Sequence, residues 1–80
     1  AYPNPFNSET VIEYALPQRA DVTLAIYDLN GRLVNELVSG ERSAGWHKVR
    51  FDGSAFATGQ YLVRLNYPGG SEVRKVVLVK

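Results

Sequence analysis

The single histidine, His47, is where any search for catalysis in these 80 residues begins. A reactive site needs a base, a nucleophile and a group that orients them. His47 lies in "WHKVRF", where His47, Val49 and Phe51 alternate against Trp46, Lys48 and Arg50. That period puts the imidazole on the core-facing side of a strand. A histidine there is a structural one, held by a hydrogen-bond partner, and without it no Ser-His-Asp arrangement can be built. Asp28 and Asp52 are the carboxylates to consider for acid–base work. Each follows a strand-like run and precedes a turn, the position at which Asp bonds its own backbone. No catalytic residue is assigned, and the chain reads as non-enzymatic.

The other chemistries are weighed in the same way. Asn4, Asn7, Asp28, Asn30 and Asp52 are oxygen ligands of the kind calcium prefers. However, "DLNG" lacks the acidic run and closing Glu of a calcium loop, and there is no cysteine for a thiolate site or a disulfide. Neither a metal nor a cofactor is expected. Aromatic faces stack on sugars, so Trp46, Tyr27, Tyr67 and Tyr2 are candidate glycan platforms, Trp46 and Tyr27 first. The plainer reading of Trp46 is packing against a loop or a neighbouring domain. A net charge of +1 is not that of a general nucleic-acid binder, and the cations are scattered over several runs, so no nucleic-acid partner is expected. From Tyr61 onward the balance is nonetheless basic: Arg64, Arg74, Lys75 and Lys80 against Glu72. This is either a solvated strand face or a surface that is read.

The elements that must position these residues are strands. Short runs rich in Val, Ile, Leu, Tyr and Phe recur between Gly, Pro, Asn, Asp and Ser. "YPNPFN" is an extended edge segment at best, since Pro3 and Pro5 cannot donate to a ladder. "TVIEYAL" turns Ile12, Tyr14 and Leu16 to a core and stops at Pro17. "DVTLAIYD" turns Val22, Leu24 and Ile26 inward. Asn30-Gly31 then predicts a two-residue type I′ hairpin, with positive φ at both residues. The run after it is ambiguous, because Leu33, Val34, Leu37 and Val38 fit a helical period as well as a strand. Its short length and the hairpin before it favour strand. "DGSAFATG" is a turn-rich connection around Phe56, and "QYLVRLNY" turns Tyr61, Val63 and Leu65 inward. "PGG" reverses the chain into "EVRKVVLVK". Within that run, Val76–Val79 is apolar on both faces, as in a strand covered on both sides. The pattern predicts an all-β fold, an immunoglobulin-like antiparallel β-sandwich of about seven strands. It forms a single domain over residues 1–80. No apolar run approaches the ~20 residues of a membrane-spanning helix, so no transmembrane segment is expected. The start at Ala1, with neither Met nor a signal peptide, leads us to expect a C-terminal fragment of a larger exported protein.

In order along the chain, "NPFN", "YDLNGR", "AGWH", "FDG", "ATGQY" and "RKVVLVK" resemble the C-terminal sorting domain of proteins exported by the type IX secretion system of Bacteroidetes and related bacteria. The resemblance covers essentially the whole chain. It is also similar to the immunoglobulin-like domain of the flagellar hook-capping protein, a structural assembly module. The sorting-domain resemblance implies a non-catalytic secretion signal. An upstream passenger in the same chain would transit the periplasm, cross the outer membrane through the type IX translocon, and end at the cell surface or in the medium after a surface sorting peptidase removes the domain. The residues it implies for recognition are Gly59, Tyr61, Arg64 and Leu65, then Arg74, Lys75, Val76, Val77, Leu78, Val79 and Lys80. Gly31-Arg32 matches the family hairpin and is read as structural. A last strand at a sheet edge presents unpaired N–H and C=O groups that a receptor can extend, with lysines adding charge complementarity. The same lysines also guard an edge against aggregation. The alternative is a carbohydrate-binding or structural immunoglobulin-like module appended to an extracellular hydrolase.

Overall fold

The computed structural model describes residues 6–7 and 9–79, with backbone only at 6–7. Seven strands follow one another: β1 (Phe6–Asn7), β2 (Glu9–Leu16), β3 (Ala20–Asp28), β4 (Leu33–Arg42), β5 (Gly45–Asp52), β6 (Gly59–Tyr67) and β7 (Gly70–Val79). They form two sheets, one ordered β1-β7-β6-β3-β4 and one made of β2 and β5. All pairings are antiparallel except that of β1 with β7, which is parallel. This is the immunoglobulin-like sandwich that the strand count predicts.

The core lies between the sheets, where the alternating residues meet. Ile12, Tyr14, Leu16 and Phe51 face it from the small sheet; Val22, Leu24, Ile26, Val63, Leu65, Val76 and Leu78 face it from the large one. Phe51 is fully buried and stacks on Phe56 of the following connection, with ring centroids 5.9 Å apart. His47 is half-buried beside Tyr14, with ring centroids 5.1 Å apart. Its Nε2–H donates to the Ser43 carbonyl at 2.8 Å, so the histidine is held as the strand period predicts.

Two expectations are corrected. First, the β3–β4 hairpin is not a two-residue type I′ turn. Asn30 does not have positive φ; only Gly31 does, at 83°. Gly31 N–H donates to the Asp28 carbonyl and Asp28 N–H to the Arg32 carbonyl, each at 3.0 Å. The loop is therefore Leu29-Asn30-Gly31, a type I turn closed by a glycine bulge. The Asp28 side chain selects it: Oδ1 accepts from the amides of Asn30 at 2.9 Å and Arg32 at 3.0 Å. Second, Val76–Val79 is covered on one face only. Val76 and Leu78 are buried, Val77 is half-buried and Val79 is exposed.

The ambiguous run is strand throughout, and its odd period has a cause. The register of β4 on β3 passes from Val38 to Glu36 and from Asn35 to Leu33, so Leu37 and Val34 are bulged. A bulge inserts one residue and resets the alternation. Apolar doublets at 33–34 and 37–38 result, and Val34 and Leu37 still pack on the core.

Candidate recognition edge

The chain returns from the small sheet to the large one through residues 53–58 and enters β6 at Gly59. Gly59 has φ of 156°, with nothing within 4 Å of where a Cβ would stand, so backbone conformation rather than lack of room favours glycine there. Two residues on, the Tyr61 hydroxyl donates to the Ala57 carbonyl at 2.5 Å. A tyrosine near the start of a strand, bonded to backbone a few residues upstream at an inter-sheet corner, is a hallmark of immunoglobulin-like sandwiches.

Beyond β6, β7 carries the basic run, and its two faces differ. Tyr61 pairs with Val76, Val63 with Arg74 and Leu65 with Glu72, on the core-side face. Leu62 pairs with Lys75 and Arg64 with Val73, on the outer face. Arg64 and Lys75 therefore share the outer surface, where Arg64 Nε donates to Asn66 Oδ1 at 3.2 Å. Arg74 projects from the other face of the same strand.

The residues implied for recognition thus divide. Tyr61, Leu65, Val76 and Leu78 are buried core. Arg64, Arg74, Lys75 and Val79 are exposed, with Val77 half-exposed beside them. Lys80 lies outside the described residues, as do Asn4 and Tyr2. Trp46 and Tyr27 are not brought together. Trp46 is 77% exposed on the outer face of the small sheet, while Tyr27 pairs with Leu62 on the outer face of the large one.

The edge itself is more divided than a last strand suggests. Among the described residues, β1 pairs with β7 through Phe6↔Leu78 and Asn7↔Val79. Among the described residues, no strand lies beside Gly70–Val77 on that side. The small sheet is also too narrow to cover this stretch. A groove of about 210 Å³ opens between β2 and β7, floored by Leu24, Val63 and Leu65 and flanked by Trp46, Glu72 and Arg74. Sequence reasoning misses this split, because a two-residue parallel strand after two prolines carries no periodic signal.

Asp28 and Asp52 carry turn bonds rather than a reactive pair. Asp52 Oδ1 accepts from Ser54 N–H at 3.0 Å. Asp28, besides its two amide bonds, accepts from Arg32 Nε through Oδ2 at 3.3 Å. These bonds, the Arg32 amide first, hold its carboxyl below the ordinary value.

A seven-strand sandwich of this topology, with a tyrosine corner and a basic last strand, defines an immunoglobulin-like module. The chain belongs to the family described as the secretion system C-terminal sorting domain, whose sequence model matches residues 1–80. It is a type IX secretion C-terminal sorting domain, a signal that implies export toward the cell surface or extracellular space. Such domains are not normally catalytic, and they imply an upstream passenger and the type IX machinery. No helix among the described residues is long and apolar enough to cross a membrane. No curated protein and no solved structure matches the chain.

Proposed function

We propose that this domain is read, folded, along the exposed strip of β7, and that the reading delivers an upstream passenger from the periplasm across the outer membrane. The passenger is then attached at the surface or released, after a surface peptidase removes the domain. The observation that carries this is the exposed cations on the last strand. Arg74 and Lys75 are exposed, Arg64 shares the outer face with Lys75, and among the described residues no strand lies beside Gly70–Arg74 on the side away from β6. A receptor strand can pair there for affinity, while acidic groups on the receptor meet the cations for specificity. Tyr61, Leu65, Val76 and Leu78 contribute by holding that strip in place.

The test is a delivery assay in a bacterium with a working type IX system. A signal peptide and a fluorescent passenger precede the complete chain, and the Arg64→Glu/Lys75→Glu variant is compared with it. Both charges lie on the outer face and away from the core. Surface or medium fluorescence lost in the variant, with its thermal midpoint unchanged, supports the reading. Full export of that variant sinks it.

A further inference from the structure

The groove between β2 and β7 lies on the path of the chain's own first residues. It has a volume of about 210 Å³ and is floored by Leu24, Val63 and Leu65. Glu13 and Trp46 stand on its small-sheet side, Glu72 and Arg74 on its β7 side. Further along β7, β1 pairs parallel to it, with Phe6 level with Leu78 and Asn7 level with Val79. A parallel register advances residue for residue, and alternate residues share a face. Carried back from Phe6, it sets Asn4 level with Val76 and Tyr2 level with Arg74. Arg74, Val76 and Leu78 share the core-side face of β7, which is the face the groove opens on.

We propose that residues 1–5 continue β1 as an edge strand along β7 and seat the Tyr2 ring in this groove. Pro3 and Pro5 are two apart, so both missing N–H groups fall on one side of an extended strand. With that side turned outward, an edge strand loses no ladder bond. Tyr2 and Asn4 then turn their own N–H groups to β7. Each also precedes a proline, which steers it toward the extended region and lowers the cost of ordering it. Tyr2 is the one aromatic residue of the segment, and the groove suits a ring, since an apolar cavity of ~150 Å³ admits benzene. Arg74 lies alongside, where a guanidinium packs over an aromatic face. Glu13 and Glu72 on the two rims offer acceptors to the hydroxyl.

This goes beyond the sorting role and does not rest on it. The strap lies level with Val73–Val77, so it meets the stretch offered to a receptor strand only at Val73 and Arg74. Its consequence is mechanical: the segment that leads into the domain is fastened to the last strand, and the two together close one flank of the sandwich. The two readings are separable, because sorting is tested with Arg64 and Lys75 and the strap with Tyr2.

The experiment is nuclear Overhauser spectroscopy of the isotopically labelled 80-residue chain, read beside urea unfolding of two variants. Cross-peaks are expected from the Tyr2 ring to the methyl groups of Val63 and Leu65 and to the Arg74 side chain, unchanged on dilution. Tyr2→Ala should lower the folding equilibrium constant about tenfold, and Tyr2→Phe, which keeps the ring, should retain most of it. Cross-peaks from the Tyr2 ring to Val73 or Lys75 instead would put the ring on the outer face and overturn the proposal. So would an absence of groove cross-peaks, or cross-peaks that fade on dilution, which would give the groove to a second copy of the chain. A urea midpoint for Tyr2→Ala equal to that of the unmodified chain overturns it as well.

Discussion

The Tyr61 hydroxyl reaches back four residues to the Ala57 carbonyl, at 2.5 Å, and ties the inter-sheet connection to the strand that follows it. The ring is buried against the core, while Ala57 is exposed. The bond therefore costs little desolvation on one side and fixes the point at which β6 enters the large sheet.

Tyr61→Phe keeps the ring and removes the donor. The freed carbonyl can take water, so the loss is that of one net hydrogen bond, about 1 kcal/mol. Urea unfolding should show a lower midpoint with the same slope. A loss above about 3 kcal/mol would mean the corner holds more than this one bond.

Gly31 tests the hairpin. Its φ is 83°, and no atom lies within 4 Å of an added Cβ. The cost of Gly31→Ala is therefore conformational only, about 1–2 kcal/mol. Gly31→Asn should cost less, because Asn tolerates the left-handed region. Equal losses for the two would point to a packing cause instead.

Asp28 gives a pH dependence whose sign is fixed. Its carboxyl is held below the ordinary value of 3.8, the bond from the Arg32 amide contributing most. A depressed folded pKa adds stability that is complete above the unfolded value and is lost as pH falls through the folded one. Asp28→Asn retains an accepting oxygen but does not titrate. The stability difference between the chain and this variant should shrink as pH falls from about 5 to about 2. A difference that stays constant over that interval contradicts the assignment.

Most of the core is legible in the order of the residues. Ile12, Tyr14 and Leu16, or Tyr61, Val63 and Leu65, alternate cleanly because each strand buries one face against the other sheet. Three features are not legible, each for a local reason. The doublets of β4 arise from two bulges, which mimic a helical period. The hairpin type is decided by a side chain, since Asp28 captures the Asn30 and Arg32 amides and so favours the three-residue loop; the Asp two residues before Asn-Gly is the signal that carries it. The outer face of β7 reads as covered because "VVLV" is apolar throughout, and composition cannot say whether a second layer exists. At the candidate site, the basic run is visible as charge, but its division between two faces and the partial cover by β1 depend on register.

Trp46 separates the sorting reading from the glycan alternative. Being 77% exposed, it should tolerate Trp46→Ala with a change in stability within about 0.5 kcal/mol. Under the sorting reading, neither the chain nor the variant is retarded by immobilised polysaccharides in affinity electrophoresis. Retardation that disappears with Trp46→Ala would revive the carbohydrate-binding alternative with this ring as its platform.

Leu78 and Val79 separate folding from address. Leu78 is fully buried and pairs with Gly59 on one side and Phe6 on the other, while Val79 is 44% exposed. Leu78→Ala should cost about 2–5 kcal/mol, a large share of the roughly 5–15 kcal/mol that holds a typical domain together. Val79→Ala should change stability by no more than about 0.5 kcal/mol. Cutting residues from the end of β7 removes both at once, so failed export of a truncation reports unfolding as much as a lost signal. Measuring export beside the urea midpoint resolves the two. Leu78→Ala should lose export together with stability and regain it in growth conditions that restore folding. If Val79→Ala loses export at an unchanged midpoint, Val79 belongs to the surface that is read. If Leu78→Ala keeps the unmodified midpoint, its placement between β1 and β6 is wrong, and with it the account of how the last strand is held.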